Sequence, residues 1–283
     1  MRRVSCFIFC IGLAGCFPVR PQAPVAPVVA RPNKRATAVA AAPVVVAPLA
    51  PVREPAVPVA APQATASEIS GIFFEGVAFD SRGHRLIVAE QPAGPGTRWA
   101  DAGAAATAHA GVAAINAGFF TPEGQPLGKV VAGGRAAGSW NRASALGSGV
   151  WLEATDGTPA IRRREAVPAT VAARELLQAG PMLVEDHQLV SGLEATKSSV
   201  RSVILWDGGS RWWIGRASSC TLAALGRALA SAAPAAWPVA GALNLDGGRS
   251  ADLSITAAIA GGPVTRRAPW NRPVRNFLVL VAR

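Results

Sequence analysis

Cysteine and histidine are scarce in the part of this chain that can form a compact domain. Cys220 is the only cysteine after residue 66, which excludes an intramolecular disulfide and a cysteine-rich zinc site there. The chain has three histidines, and none lies at a spacing typical of metal ligands. No cofactor is therefore expected. A hard divalent cation is not excluded, because Asp246 and Asp252 could bind one together with backbone carbonyls.

Several common functional signatures are also missing. The sequence contains no GxSxG motif, no P-loop and no GxGxxG at a strand–helix junction, so it gives no indication of the enzymes and nucleotide-binding folds that carry them. It also lacks a basic helix with interleaved aromatic residues, which makes nucleic acid a poor candidate partner. Cys220 precedes an apolar helical segment, where a buried structural thiol is the common role.

Positive charge is concentrated ahead of the domain. The chain has 28 Lys and Arg against 17 Asp and Glu, a formal net charge of +11. Seven of these basic residues and one acidic residue, Glu54, lie in the first 66 positions. Residues 67–283 therefore carry 21 basic and 16 acidic residues, a net charge of only +5.

The first sixteen residues have the pattern of an export signal. Arg2 and Arg3 precede the apolar run from residue 4 to residue 12, which is too short to span a bilayer, since that needs about 20 residues. The sequence LAGC at 13–16 resembles a bacterial lipobox, which implies a lipid on Cys16 and membrane anchoring. A plain signal peptide with an incidental cysteine is the alternative. Phe17 is unlike the Asp of inner-membrane retention signals, so we expect a lipid-anchored envelope protein on the outer membrane, facing the periplasm.

Residues 17–66 have the composition of a linker. They include 11 Pro, 15 Ala and 11 Val, with Phe17 as the only aromatic. Because Pro blocks both helices and strand ladders, we expect a disordered, extended Pro/Ala/Val-rich arm of up to about 150 Å. The sequence thus predicts a signal peptide at 1–16, a linker at 17–66 and one domain at 67–283, which we expect to be monomeric.

The domain is predicted to be α+β, with a twisted, mostly antiparallel or mixed sheet system and a few helices. Residues 221–232 place three leucines on one helical face and have Ser218, Ser219 or Thr221 as a candidate N-cap. Gly208 and Gly209 lie between two apolar runs, which predicts a hairpin. The predicted strands are Ile72–Phe79, Arg85–Ala89, Val112–Ile115, Gly149–Glu153, Met182–Val184, Val200–Trp206, Arg211–Gly215, Ala242–Leu245, Leu253–Ala257 and Arg275–Val281, and the predicted helices are 99–110 and 221–232.

Four segments differ from ordinary core sequence. They are INAGFFTPEG at 115–124, LLQAGPMLV at 176–184, Arg201 at the start of an apolar strand, and ALNLDGGRSADLSI at 242–255. Taken singly, the first three are readily explained as turns or an exposed strand end. In the fourth, glycines would let a substrate approach the backbone beside Asp246.

In this order, the four segments and the NRPVRNFLVL tail resemble the phosphodiester glycosidase family. The likeness spans about 115–283 and extends more weakly to about 71. Two positions depart from the family pattern. Ala117 replaces a glycine, and the bulky cation Arg249 replaces a small residue. The resemblance therefore does not imply that the substrate is the same as in other members of the family.

The resemblance implies hydrolysis of a sugar–phosphate glycosidic bond in a phosphodiester-linked sugar or envelope polysaccharide. A phosphate is already a good leaving group, so a single carboxylate suffices where ordinary glycosidases need two. Asp246 is the expected catalytic carboxylate, as nucleophile or base, and Arg201 is expected to bind the phosphodiester. The expected substrate-binding residues are Asn116, Gly118, Gln178, Gly247, Gly248, Ser250, Arg275 and Asn276. The alternative is a lipoprotein that binds or assembles envelope polysaccharide without cutting it.

Overall fold

The computed structural model describes residues 58–92 and 97–283 of the chain. The predicted signal peptide, Cys16 and most of the predicted linker lie outside the described residues. Within the described part, seventeen strands and two α-helices form the domain, and no helix there is long and apolar enough to cross a membrane.

The elements follow one another in a β-rich order. The strands are β1 Gln63–Ile69, β2 Ile72–Asp80, β3 His84–Glu90, β4 Ala113–Asn116, β5 Val130–Ala132, β6 Arg135–Ala137, β7 Gly149–Ala154, β8 Pro159–Arg163, β9 Ala173–Ala179, β10 Met182–Glu185, β11 Gln188–Leu189, β12 Ser199–Trp206, β13 Arg211–Cys220, β14 Gly241–Asn244, β15 Asp252–Ile255, β16 Val264–Arg267 and β17 Asn276–Ala282. The helices are α1 Ala102–Ala108 and α2 Leu222–Ser231, and three short 3-10 turns cover Ala145–Gly147, Arg164–Ala166 and Gly248–Ser250.

Three antiparallel sheets make up the β structure. The first has the order β1-β2-β13-β12-β14-β10-β11, the second β16-β15-β4-β17-β3, and the third β6-β5-β9-β7-β8. Every ladder between these strands is antiparallel. The α+β, mostly antiparallel prediction is therefore confirmed.

The main core lies between the sheets. It takes Ile204 and Trp212 from the first sheet, Ile115 and Leu278 from the second, and Trp151 from the third. Because side chains alternate across a strand, the neighbours of these residues face outward and would be exposed without a cover. The helices supply that cover, which explains why the central strands are apolar on both faces.

Each helix covers the outer face of one large sheet. Leu225 and Leu229 of α2 pack with Val203 and Trp213 on the first sheet. The alanines of α1 pack on the second sheet with Phe277. The small alanine side chains let the α1 backbone approach the sheet closely.

Both predicted helices form, although they are shorter than the predicted ranges. Thr221 caps α2, its hydroxyl accepting a hydrogen bond from the Ala224 N–H at 3.1 Å, as one of the three sequence candidates predicted. Asp101 caps α1 in the same way through Ala104. Both caps satisfy an N–H that the helix itself leaves unpaired.

The predicted hairpin joins β12 and β13. Leu205 pairs with Trp213 and Trp206 with Trp212. Gly208 has a φ of +91°, which favours glycine, and the Asp207 carboxylate accepts from the Gly209 N–H at 2.7 Å. This Asp-Gly-Gly sequence is thus a turn, as predicted.

Two sequence assignments need correction. Strand β1 begins at Gln63, so the last four residues assigned to the linker belong to the first sheet, where Gln63 pairs with Ala78. Gln178 does not sit in a turn but in β9, in the interior of the third sheet. The polar strand β1 forms by pairing with β2 across the two-residue turn at Ser70 and Gly71. Strand β9 forms between β5 and β7, which lie further away in the chain.

Candidate functional site

The predicted site residues other than Gln178 lie where β4, β12, β14 and β17 begin or end. Gln178 lies on β9. The Asp246 N–H donates to the Ala117 carbonyl at 2.8 Å, and the Leu245 N–H donates to Ser202 at 2.8 Å. These two bonds tie the segment after β14 to the second sheet on one side and to β12 on the other. The segment from Asp246 to Ser250 is therefore held at a junction between two sheets.

The two glycines after Asp246 are required by close packing. A Cβ on Gly247 would lie 2.6 Å from the Val200 carbonyl oxygen, well inside contact distance. Gly248 has a φ of +60°, a conformation that other residues adopt at a cost. The chain then enters the 3-10 turn Gly248–Ser250. The glycines are therefore required by close packing against β12 and by the backbone conformation. This reason is separate from the access for a substrate that the sequence suggested.

The Asp246 carboxyl is buried and carries a perturbed pKa. Burial raises its pKa to about 6, while the Ser250 hydroxyl, the Arg272 guanidinium and the Gly247 N–H lower it in part. The Ser250 hydroxyl lies beside the carboxylate but does not meet it with hydrogen-bond geometry. An acid of this kind changes its charge near neutral pH, which is the behaviour needed of a proton acceptor.

Asn116 and Asn276 are fully buried and bonded to the protein. The Asn116 Oδ1 accepts from the Ser202 hydroxyl at 2.7 Å and from the Asp252 N–H at 3.0 Å, and its Nδ2 donates to the Asp246 carbonyl. The Asn276 Oδ1 accepts from the Gly118 N–H at 2.7 Å. Both amides hold the segments around Asp246 in place, so the structure gives them positioning roles rather than direct contact with sugar hydroxyls.

Gln178 also has a positioning role. Its Oε1 accepts from the N–H groups of Lys129 and Asn141 at 3.0 and 2.9 Å. Its Nε2 donates to the carbonyls of Asn141 and Gly147 at 2.7 and 2.8 Å. All four hydrogen-bonding positions of the amide are filled by backbone groups, which leaves none for a sugar.

Arg201 lies next to the loop, with its Cα close to Gly247, and its side chain is held by backbone carbonyls. Its guanidinium donates to the carbonyls of Cys220 at 3.0 Å and Lys197 at 2.7 Å. Burial lowers its pKa, and Cys220 beside it is a buried free thiol. Within the described residues Arg201 makes no ion pair with a carboxylate, although the Glu194 carboxylate acts on its charge from a longer distance. A guanidinium without an ion-pair partner can bind an anion.

The cation beside Asp246 is Arg272, which the sequence prediction missed. Its guanidinium stacks over the Phe120 ring, 4.7 Å from the centroid. The same segment is fastened by the Asn271 Nδ2, which donates to the Ala251 carbonyl at 2.9 Å. It also leaves Trp270 67% exposed. The position of Arg272 in the NRPVRN tail, next to an aromatic-rich segment, was the only sequence signal for it.

The other tail residue, Arg275, is neutralised within the protein. It pairs with Glu90 at 2.7 Å and donates to the Gly124 carbonyl at 3.0 Å. Glu90 also accepts from the Asn276 Nδ2 at 3.1 Å. Arg275 therefore supports Asn276 and the Gly118 segment instead of presenting a free charge.

Asp252 is engaged at the start of α1. Its carboxylate accepts from the Ala102 N–H at 3.0 Å and lies 3.7 Å from the Arg267 guanidinium, and burial raises its pKa to about 6. Because its carboxylate is used in these contacts, Asp252 is not placed to bind a cation together with Asp246. Among the described residues, no three His, Cys, Asp or Glu side chains are grouped as metal ligands.

Several oxygen atoms near Asp246 are buried without a hydrogen-bond partner. They are the Asn244 Oδ1, the Ser250 Oγ and the Asn271 Oδ1. Buried polar atoms without partners are costly, and these three come from residues flanking the Asp246 loop. The Asp246 loop is thus flanked by polar atoms that the protein leaves without a hydrogen-bond partner.

The fold and the site together define a class of protein. It is a β-rich domain whose site combines one buried carboxylate, unpaired oxygen acceptors and arginines without carboxylate partners. Arg201, Arg249 and Arg272 all lack such a partner within the described ranges. Such a site is suited to a ligand that carries both hydroxyl groups and negative charge.

The chain belongs to the phosphodiester glycosidase family, whose model matches residues 109–281, more than half of its length. The family resemblance drawn from the sequence is therefore confirmed. No curated protein sequence matches the chain.

Two solved structures resemble the fold. The first is the catalytic domain of zebrafish N-acetylglucosamine-1-phosphodiester alpha-N-acetylglucosaminidase, auto-inhibited by its pro-peptide. It is 18% identical with a TM-score of 0.55, covering 81% of this chain and 85% of that one. The second is a hypothetical protein from Synechocystis, 16% identical with a TM-score of 0.54, covering 78% and 61%. At these identities both support the fold alone.

Proposed function

We propose that this domain hydrolyses the glycosidic bond between a sugar and a phosphate in a phosphodiester. The observation that carries the proposal is the buried Asp246 carboxyl, with a pKa of about 6, beside Arg272 in a site whose three arginines lack carboxylate partners. The family supports the same class of reaction.

The reaction needs one carboxylate because of its leaving group. The bond between the anomeric carbon and oxygen breaks, and the phosphate monoester leaves with the electron pair, which requires no strong general acid. Asp246 either attacks the anomeric carbon or takes a proton from the attacking water. The product distinguishes the two roles, since a nucleophile gives retention of configuration and a base gives inversion.

The cationic groups bind the phosphate. Arg272 lies beside the carboxylate, and Arg201 flanks the loop from the β12 side with its charge unpaired. A guanidinium binds phosphate oxygens with two parallel hydrogen bonds. The Gly247–Gly248 backbone and the Ser250 hydroxyl complete the oxygen-binding surface, and exposed Trp270 forms a rim against which a sugar ring packs.

The direct test is sugar release from a methyl or lipid phosphodiester of N-acetylglucosamine, with Asp246→Asn as the control variant. The parent chain is expected to release the free sugar. The variant is expected to lose at least ~100-fold in rate, the scale of single acid–base groups. Binding of the phosphodiester with no release by the parent chain would instead support the non-catalytic polysaccharide-binding alternative.

We also propose that the domain works on the cell envelope, anchored by a lipid on Cys16 through its Pro/Ala-rich arm. The support is the LAGC sequence at 13–16 and the composition of residues 17–66. Cells grown with labelled palmitate should incorporate label into the parent chain and not into a Cys16→Ala variant. A Cys16→Ala chain that stays with the membrane fraction would contradict this anchor.

A further inference from the structure

A second cleft lies outside the Asp246 site, beside the third sheet. It has a volume of 430 Å³ and is lined by Trp140, Arg142 and the segment 164–169. None of the groups assigned to the proposed reaction contributes to its lining. The cleft therefore calls for a separate explanation.

The two walls of this cleft are rigidly held. The Gln178 amide binds both the N–H and the carbonyl of Asn141, the residue between Trp140 and Arg142. Arg164 crosses from the opposite wall and donates to the same carbonyl at 3.2 Å. The cleft is thus preorganised, which lowers the entropic cost of binding a ligand.

The opposite wall is fastened in the same way. The Lys129 Nζ donates to the Ala169 carbonyl at 2.7 Å, while the Lys129 N–H donates to the Gln178 Oε1 at 3.0 Å. Gln178 and Lys129 therefore link both walls. The buried Gln178 therefore has a role in holding the walls of the cleft, which differs from the direct contact with a sugar that the sequence predicted.

The lining combines an aromatic surface with positive charge. Trp140 is partly buried and packs against the cluster that contains Val131 and Val167. Arg142 is exposed and makes no ion pair with any carboxylate of the described residues. Arg164 pairs with Glu165 at 2.6 Å, which leaves Arg142 as the uncompensated charge. A fixed aromatic face next to a free guanidinium suits a sugar ring that carries an anionic group.

The cleft is mechanically connected to the Asp246 loop. Gly180 and Pro181, just after Gln178, contact Asn244, which lies two residues before Asp246. The Asn244 Nδ2 donates to the Gly180 carbonyl at 2.9 Å, and the Asn244 N–H donates to Pro181 at 3.1 Å. The β9–β10 connection thus positions both the cleft and the loop.

We propose that this cleft is a second binding subsite, which takes a further anionic sugar unit of a polymeric substrate. This inference rests on the proposed function, since it specifies the substrate as a sugar–phosphate polymer rather than an isolated phosphodiester. Trp140 packs on the ring of the distant unit, and Arg142 binds its negative charge.

The test measures binding of N-acetylglucosamine-1-phosphate oligomers with one and four repeats to the full chain by calorimetry. The Asp246→Asn background prevents cleavage during the titration. Trp140→Ala and Arg142→Ala are compared with Arg227→Ala, which removes an exposed arginine from α2. Loss of an aromatic or arginine anchor from a binding site costs at least ~10-fold in affinity.

The four-repeat oligomer is expected to bind at least ~10-fold more weakly to both cleft variants, whereas the one-repeat oligomer changes little. Arg227→Ala should match the background with both probes. Equal effects on the two probes, no effect of Arg142→Ala, or no binding of the four-repeat probe would overturn the subsite.

The outcome is separable from that of the proposed function. A parent chain that cuts none of the oligomers, with four-repeat binding still weakened by Arg142→Ala, keeps the subsite and removes the hydrolase. A parent chain that cuts the one-repeat phosphodiester, with four-repeat binding unaffected by Arg142→Ala, keeps the hydrolase and removes the subsite.

Discussion

At the scale of single residues, burial of Asp246 determines both its protonation behaviour and its effect on the stability of the fold. Its pKa of about 6 exceeds the ordinary value of 3.8 because the carboxylate is removed from water. The ionised form, which acts as nucleophile or base, is therefore fully present only above that pH. The Asp246 environment thus makes the reaction pH-dependent in a range that can be measured.

The first prediction concerns that pH dependence. The kcat/KM for a sugar-1-phosphodiester should rise with pH through a single step near pH 6, because the free enzyme must carry an ionised Asp246. A pH–rate profile from pH 4 to 8 measures this. A profile that falls through the same range would mean that the protonated acid is the active form, contrary to the proposal.

The second prediction concerns stability. Because the folded-state pKa lies above the unfolded value, the proton is held more tightly in the folded chain, and stability is lost as pH rises from about 4 to 6. At pH 7 the buried charge costs roughly 3 kcal/mol, at 1.36 kcal/mol per pKa unit. Asp246→Asn should therefore be more stable than the parent chain at pH 7, with the difference shrinking toward pH 4.

Urea unfolding of both chains at pH 4, 5, 6 and 7 measures that difference. If the variant were less stable than the parent chain at every pH, the claim that the ionised Asp246 carboxylate destabilises the fold would be contradicted. The same measurement confirms that any loss of turnover in the variant does not come from loss of the fold.

Residue identity alone could not separate ligand-binding amides from positioning amides. The sequence singled out Asp246 and the three polar motif residues Asn116, Gln178 and Asn276 as candidates. Yet an amide has the same chemistry whether it binds a sugar or the backbone. Only the folded structure shows that backbone groups fill all the hydrogen-bonding positions of Gln178.

Arg272 was not predicted because it is far from Asp246 in the sequence, and only folding brings the two side chains together.

At the scale of elements, the hairpin and the helices followed from local chemistry, whereas several strands did not. Glycine at 208 and threonine at 221 are required by the turn and the cap that they form. By contrast, β1 has the sequence QATASEI and is a strand because it pairs with β2. A short polar segment that becomes a strand only by pairing with its hairpin partner carries little strand signal of its own.

The third prediction concerns β9 and the loops that its Gln178 holds. Gln178→Met preserves the size of the side chain but leaves three backbone groups without a partner, the N–H groups of Lys129 and Asn141 and the carbonyl of Gly147. The Asn141 carbonyl keeps its hydrogen bond from Arg164. At roughly 1–3 kcal/mol for each group that stays buried, we expect the free energy of unfolding to fall by at least ~3 kcal/mol. Gln188→Met, at an exposed position of β11, is the control and should change it little.

Urea titrations of the two variants give this comparison. Equal stability of Gln178→Met and Gln188→Met would show that the amide does not hold the loops. Reduced stability with unchanged contacts at the Asp246 site would agree with its positioning role.

At the scale of the whole molecule, the domain has four packed layers. Helix α2, the first sheet, the second sheet and helix α1 follow one another, with the third sheet contributing to the central core. The Asp246 loop lies at the junction of the two large sheets. Site geometry therefore depends on the packing of the complete domain, including its first strand.

The fourth prediction concerns where the domain begins. A fragment starting at residue 67 loses the pairing of residues 63–66 with β2 and the hydrogen bond from the Trp213 Nε1 to the Thr65 hydroxyl at 2.8 Å. We expect it to be at least ~2 kcal/mol less stable than the fragment 58–283, since several hydrogen bonds of about 1 kcal/mol are lost together. Denaturant unfolding of both fragments tests this, and equal stability would place the boundary at 67 after all.

The most direct test of the central claim is release of free N-acetylglucosamine from its methyl phosphodiester at pH 7 by the full chain. We expect turnover by the parent chain and a loss of at least ~100-fold in the folded Asp246→Asn variant. Equal turnover by the two chains would remove Asp246 from the reaction. No release by the parent chain from any sugar-1-phosphodiester would contradict the proposed hydrolase itself.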